Sequence, residues 1–225
     1  MNKFGLFDVV GPVMVGPSSS HTAGAAKIGY IARKIFNRDF KKVDFYLHGS
    51  FYKTHKGHGT DRALLGGVML FKPDDERIKD AFDIAKENSI NYSFHEIDLG
   101  EDVHPNTVKI EFTCQDNSTW SVTGSSIGGG KAVITKTNDF DVEITCELAT
   151  LITKHHDKSG AIAKISNILY DYDINIAFIK VFRDQKGEFA RLVVEIDGDF
   201  NKEAIKKIRD LDIVNQAKFI DSLKL

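Results

Sequence analysis

Cysteine is scarce in this chain: Cys114 and Cys146 are the two in 225 residues, far apart and without a C-x-x-C spacing. That excludes a disulfide framework and a zinc knuckle, and both thiols are expected as small buried residues in strands. No apolar run approaches the length of a membrane span, and Met1-Asn2-Lys3-Phe4 leads into an apolar patch too short and wrongly flanked for a signal peptide. A cytoplasmic protein is expected. A surplus of one charge is also missing: thirty basic against thirty-two acidic residues leave a net charge of −2, which excludes the electrostatic footprint of a nucleic-acid or anionic-membrane binder. Internal repeats and low-complexity tracts are absent too. What is present is 42% hydrophobic residues over a length that suits two domains, with a small molecule or another protein as partner.

Hydrophobic periodicity divides the chain into two grammars. Ile28, Ile31, Ile35 and Phe36 form one stripe of a helix over Ser20 to Phe36, with Ser20 as its cap, after a loop broken by Gly11-Pro12 and Gly16-Pro17. Val43, Phe45 and Leu47 alternate with polar residues as a half-buried strand, and a loop is expected from Gly49 to Gly59. Thr60-Asp61 begin a helix to Leu70, and Pro73-Asp74-Asp75 begin another marked by Ile78, Phe82 and Ala85. A strand over Asn91 to Ile97 precedes a hairpin of Val108, Ile110, Phe112 and Cys114 with Trp120-Ser121-Val122, and Ala132 to Thr135 is a last short strand. After a linker around Thr137-Asn138-Asp139, the order becomes strand, helix, strand, strand, helix, strand. Its pieces are Ile144 to Thr153, Gly160 to Tyr170, Ile174 to Phe182, Phe189 to Ile196, Lys202 to Arg209 and Ile213 to Phe219, with Gln185-Lys186-Gly187 as the hairpin turn. That is the ferredoxin-like βαββαβ plan, so the fold class is α+β: an N-terminal α/β domain over 1–138 and a ferredoxin-like domain over 143–225.

Four clusters carry candidate chemistry. Ser18-Ser19-Ser20-His21-Thr22 precedes a helix, where hydroxyls and unpaired amides make a site for a carboxylate or phosphate. Against this stands the plain role of a helix cap. Lys56-Gly57-His58-Gly59-Thr60-Asp61-Arg62 sets a histidine between two glycines, where an imidazole can approach a ligand and accept a proton near neutrality. His55-x-x-His58 is also a metal-type spacing, but no third ligand is evident. His104-Pro105-Asn106 is a turn that can aim an imidazole and a carboxamide together, and Gly124-Ser125-Ser126-Ile127-Gly128-Gly129-Gly130 allows close backbone approach without being a phosphate loop. Six of the eight histidines fall in the first 104 residues, and three of those six sit in segments rich in Gly, Ser, Thr or Pro, as the wall of a polar active site requires.

On these strings the chain resembles the beta chain, or beta domain, of bacterial L-serine dehydratases of the iron–sulfur type. The resemblance runs from Phe7 to Gly24, through Gly57-His58-Gly59-Thr60-Asp61-Arg62-Ala63, His104-Pro105-Asn106 and Ser126-Ile127-Gly128-Gly129-Gly130, and covers essentially the whole chain. It implies an N-terminal domain like the allosteric substrate-binding domain of some phosphoglycerate dehydrogenases. It also implies a C-terminal ACT domain, whose signature is Asp157-Lys158-Ser159-Gly160-Ala161-Ile162 followed by Ile174-Asn175-Ile176.

The implied activity is lyase chemistry: L-serine to pyruvate and ammonia, assisted by a 4Fe-4S cluster. Clusters of that kind are held by cysteine thiolates, and two distant cysteines do not suffice, so the cluster is expected on a separate alpha chain. By resemblance His58 is the expected base, with His21 and His104 beside it as further catalytic candidates. Ser18, Ser19 and Ser20 are expected to bind the substrate carboxylate, with Thr22 as a further substrate-binding residue and Thr60, Asp61 and Asn106 as positioning groups, and no metal ligand is assigned to this chain. Asp157, Gly160 and Asn175 are expected to hold an amino-acid effector between paired subunits. Two rivals stay open: a regulatory amino-acid-sensing subunit with no catalytic group, and a metal hydrolase using His55, His58 and His104.

Overall fold

The computed structural model describes residues 13–138, 140–183 and 187–222. The chain divides between residues 139 and 140 into two compact units.

In the first unit a π-helical turn, Ser19–Ala23, feeds directly into α1, Gly24–Phe36. There follow β1 (Lys42–His48), α2 (Gly49–His58), α3 (Thr60–Val68), a 3₁₀ turn over Glu76–Asp80, α4 (Ala81–Glu87), β2 (Asn91–Ile97), β3 (Thr107–Thr113), β4 (Thr119–Gly128) and β5 (Lys131–Thr137). The strands of this unit lie in the order β2-β1-β3-β4-β5, with β1 and β2 parallel and the remaining pairs antiparallel. Parallel neighbours require a crossover, and α2, α3 and α4 form it.

One face of this sheet carries Phe45, Leu47, Val108, Ile110, Phe112, Val122 and Ile134, all buried, and α1 turns Ile28, Ile31, Ile35 and Phe36 toward it. Phe36 stacks on Phe112 with ring centroids 4.4 Å apart, fixing the end of α1 over β3. At its middle α1 crosses α3 at glycine: a Cβ on Gly29 would come within 2.4 Å of the Leu64 carbonyl, and one on Gly67 within 2.2 Å of the Ala26 carbonyl. This crossing brings the start of α3, which carries Thr60 and Asp61, up to the turn that begins α1.

The loop expected from Gly49 to Gly59 is instead α2. Its glycines are the ends of the helix rather than a loop: Gly49 enters at φ +56, and Gly59 at φ +65 closes the helix by donating its N–H to the His55 carbonyl. Phe51 is buried beneath it, and the Thr54 hydroxyl donates back to the Ser50 carbonyl (2.8 Å). The start of α1 also differs from expectation, because Ser18 and not Ser20 is the cap: Ser18 Oγ accepts the His21 N–H at 3.1 Å.

The second unit contains β6 (Phe140–Ile144), β7 (Ala149–His156), α5 (Ala161–Asp171), β8 (Ile176–Arg183), β9 (Phe189–Ile196), α6 (Lys202–Arg209) and β10 (Val214–Ile220). The four-stranded sheet β10-β7-β9-β8 is antiparallel throughout, the strand order of a ferredoxin-like fold. Leu151, Leu192, Val194 and Ile196 from its strands meet Ile165 and Leu169 of α5 and Ile208 of α6 in one core. The strand expected over Ile144 to Thr153 is two strands, broken at Cys146, a buried residue at φ +52. Cys114 is half-buried just after β3, so neither cysteine lies within a strand. Gln185 and Lys186 of the expected hairpin turn lie outside the described residues. The stretch around Thr137 and Asn138, read as a linker, holds the end of β5 and a left-handed Asn138 at φ +52.

Candidate active site

The serine-rich turn, the end of α2 and the His104 turn come together at one end of the first sheet. His21 is the hinge of the arrangement. Its Nδ1 lies 3.5 Å from Ser18 Oγ, its Nε2 shares a 3.0 Å hydrogen bond with Ser50 Oγ at the start of α2, and its ring meets Phe51 edge-on at 5.6 Å. The His58 ring lies 4.9 Å from the His21 ring, tilted by 38°. Thr22 Oγ1 donates to the His58 carbonyl at 2.9 Å, which ties the end of α2 to the serine turn. Burial, with His58 beside it, lowers the pKa of His21 below its ordinary value, so His21 is a neutral, doubly anchored imidazole near neutral pH. Among the described residues the His58 ring nitrogens make no hydrogen bond, so they are free to meet a proton donor or acceptor.

A cleft of about 350 Å³ opens beside His58, lined among others by Thr22, Asp61, Arg62, Lys56 and Phe82. Arg62 lies over the Phe82 ring at 5.6 Å, and Asp61 accepts the Arg62 N–H at 2.8 Å. Ser18, Ser19 and Ser20 are half-buried around the start of the turn, where helical geometry leaves the first amides without an internal partner. Hydroxyls and amides of this kind suit a carboxylate.

His104 is exposed, and its Nδ1 accepts the Asn106 N–H at 3.1 Å. Its turn is fastened to α2, since the Phe51 N–H donates to the Pro105 carbonyl (3.2 Å) and a Cβ on Gly49 would come within 2.9 Å of the same oxygen. Thr60 is fully buried at the start of α3, and its hydroxyl has no hydrogen-bond partner; the same holds for Asn106 Oδ1 and for Ser126 Oγ. The structure therefore brings His21, His58, Thr22 and Ser18 into direct contact. It places Thr60 and Asp61 on the neighbouring helix and Asn106 on the adjoining strand end. Ser50, which orients His21 from 29 residues away, has no signal in the sequence beyond being a hydroxyl at a helix start.

The donor set does not fit a 4Fe-4S cluster. Of the two cysteines, Cys146 is a buried thiol whose pKa burial pushes up to about 12, which opposes the thiolate a cluster needs. Among the described residues no three histidine, cysteine, aspartate or glutamate side chains come close enough to hold a metal ion, and His55 of the His55-x-x-His58 spacing turns its Nδ1 to the Tyr52 carbonyl of its own helix.

In the second unit Asp157 is engaged. Its Oδ2 accepts from Gly187 N (2.9 Å) and pairs with Arg183 Nε (2.9 Å); the Gly187 hydrogen bond, with Arg183 beside it, lowers its pKa. Gly160 enters α5 at φ +84. Asn175 donates to Asp197 (2.7 Å) and stands at the other end of the sheet, because β8 begins opposite Ile196, whereas Asp157 follows the strand end opposite Phe189. The three expected effector residues do not converge within one chain.

Fold and site together define a two-domain α+β protein, a histidine-bearing α/β unit followed by an ACT domain. The family model for the ACT domain matches residues 149–212, and the family model described as serine dehydratase beta chain matches residues 4–138. The chain belongs to the serine dehydratase beta chain family. It is 40% identical over 221 residues to the L-serine dehydratase, beta chain, of Peptoniphilus asaccharolyticus, covering 98% of this chain and 100% of that one. It is likewise 40% identical to the probable L-serine dehydratase, beta chain, of Bacillus subtilis (strain 168), covering 96% and 98%. A D-3-phosphoglycerate dehydrogenase of the same Bacillus strain is 27% identical over 88% of this chain and 37% of its own length. No helix among the described residues is long and apolar enough to cross a membrane.

Proposed function

We propose that this chain is the beta subunit of a cytoplasmic L-serine dehydratase, which deaminates L-serine to pyruvate and ammonia with a separate alpha chain that carries the 4Fe-4S cluster. The observation that carries the reading is the contact between a neutral, anchored His21 and a His58 ring whose nitrogens make no hydrogen bond among the described residues, set beside a serine turn able to take a carboxylate. In this reading Ser18, Ser19 and Ser20 hold the carboxylate and orient the Cα–H bond, Thr22 holds the end of α2 in place through the His58 carbonyl, and His58 accepts the Cα proton. His21 keeps its neighbour from gaining a cationic partner and fixes the ring's position. The electron pair freed at Cα forms the Cα=Cβ bond as the β-hydroxyl departs and is protonated to water, and the resulting enamine tautomerises to an imine that a water molecule hydrolyses to pyruvate and ammonia. Asp157 and Gly160 contribute half of an effector site that Asn175 of a second copy completes, which makes the assembly an oligomer.

The test is anaerobic co-purification with a cysteine-rich partner chain, followed by pyruvate release from L-serine by each chain alone and by the mixture. Activity confined to the mixture is the expected result. Vigorous turnover by this chain alone would overturn the reading.

A further inference from the structure

The cleft beside His58 carries positive charge that the serine turn and the two histidines do not account for. Lys56 and Arg62 line it from either side of His58 in the chain, and Lys79 lines it from the 3₁₀ turn, against the one carboxylate of Asp61. Lys79 is engaged, because it pairs with Glu76. Lys56 and Arg62 have no ion-pair partner among the described residues, whereas Arg77 pairs with Asp75 and Arg183 with Asp157. The Asp61 carboxylate is turned to the main chain, where its Oδ1 accepts the Arg62 N–H at 2.8 Å.

Arg62 is also held in position. Its guanidinium lies over the Phe82 ring at 5.6 Å, and Phe82 is itself stacked on Tyr92 (ring centroids 5.6 Å apart, 11°) and edge-on to Phe94 at 6.4 Å, which steadies the platform. Contact with a ring face leaves the N–H donors at the rim of the guanidinium for a ligand. That planar fork matches paired oxygens of a phosphate or carboxylate, and a lysine adds a mobile point charge. Gly57 and Gly59 flank His58, and a Cβ at either would meet nothing within 4 Å, so the backbone between the two cations is open to a ligand. The cleft's volume of about 350 Å³ falls in the range of about 300–1,000 Å³ that suits ligands larger than L-serine.

We propose that Lys56 and Arg62 form a subsite for a phosphate group, either free or carried as an ester by a small amino or hydroxy acid. A phosphate ester brings a charge of about −1.5 to −2 and three acceptor oxygens, which matches two cations and the rim of a guanidinium better than a single carboxylate does. A ligand seated there occupies the cleft that His58 lines and keeps the substrate out, so the site is one of competitive inhibition. The subsite goes beyond the dehydratase reading, and only the competition rests on it.

The test titrates the full chain with inorganic phosphate and with O-phospho-L-serine by calorimetry at low ionic strength. Arg62→Gln and Lys56→Gln are each expected to weaken binding about tenfold or more, and Arg62→Lys to weaken it less than Arg62→Gln. Arg38→Gln removes an equal charge beyond the far end of α1 and should leave binding nearly unchanged. Tighter binding of O-phospho-L-serine than of phosphate supports the subsite with a phosphorylated amino acid as its ligand; equal binding supports it with free phosphate. No binding by the wild-type chain, or equal weakening by Arg38→Gln and Arg62→Gln, overturns it. In the complex assembled anaerobically with the partner chain, the probes should raise the KM for L-serine without lowering kcat. A lowered kcat with KM unchanged overturns the seat in the His58 cleft. Absence of pyruvate from the wild-type complex overturns the dehydratase reading instead, while calorimetry still judges the phosphate subsite.

Discussion

The rings of His21 and His58 lie 4.9 Å apart, one fixed by two serine hydroxyls and the other with its nitrogens unengaged among the described residues. Burial lowers the pKa of His21, and His58 beside it lowers it further. Removing a general base costs about 10²- to 10⁴-fold. His58→Ala is expected to lower kcat of the assembled enzyme within that range. His21→Asn should cost less, and Ser50→Ala less again, since Ser50 acts through His21. Equal rates for wild type and His58→Ala would remove His58 from the role of base.

The contact between Gly29 and Gly67 makes a prediction that does not depend on the reaction. A methyl group at 67 would meet the Ala26 carbonyl at 2.2 Å and the Tyr30 amide nitrogen at 2.8 Å, both backbone atoms that move only if α1 and α3 separate. Overpacking of this kind costs about 1–3 kcal/mol, and more when backbone must shift. Gly67→Ala should lower the urea midpoint of the first unit's transition with little change in slope. Gly57→Ala is the control, because a Cβ there meets nothing within 4 Å.

How far the sequence could be read depended on whether the deciding contact was local. Alternation at Val108, Ile110 and Phe112, and the βαββαβ order after residue 140, follow from periodicity that each segment carries by itself. The helix at Gly49–His58 was hidden because glycines at both ends read as loop, although Gly49 and Gly59 are the left-handed residues that start and stop it. Within the site, the histidine- and serine-rich strings stand out by composition. The Ser50 partner of His21 and the pairing of Ser126 with Asn106 are set by helix placement and strand register, which link residues 20 or more positions apart.

His155 offers a pH test in the second unit. It is buried, with its Nδ1 3.1 Å from Thr153 Oγ1, and burial lowers its pKa despite the opposing pull of Asp157. The unfolded chain binds the proton at about pH 6.5, whereas the folded chain resists it until a lower pH. Stability is therefore full above that range and is lost as pH falls from about 6.5 toward the folded value, with a slope of at most about 1.4 kcal/mol per pH unit. His155→Gln should flatten that part of the profile, measured by urea unfolding between pH 7.5 and 5. An unchanged slope would show that His155 does not carry it.

The last prediction concerns where the iron resides. Thiolate is the form that ligates iron, and at pH 8 a thiol with a pKa of about 12 is ionised in about one molecule in ten thousand. Cys146 is further shut in by burial, and Cys114 is half-buried, so the chain offers two thiols at most where a cluster of this kind takes four. Cys114→Ser combined with Cys146→Ala should leave the iron content and the visible absorption of the anaerobically assembled complex unchanged per complex. Alkylation of the native chain should mark Cys114 well before Cys146. Loss of iron in proportion to either substitution would place cluster ligation on this chain and overturn its assignment to the partner.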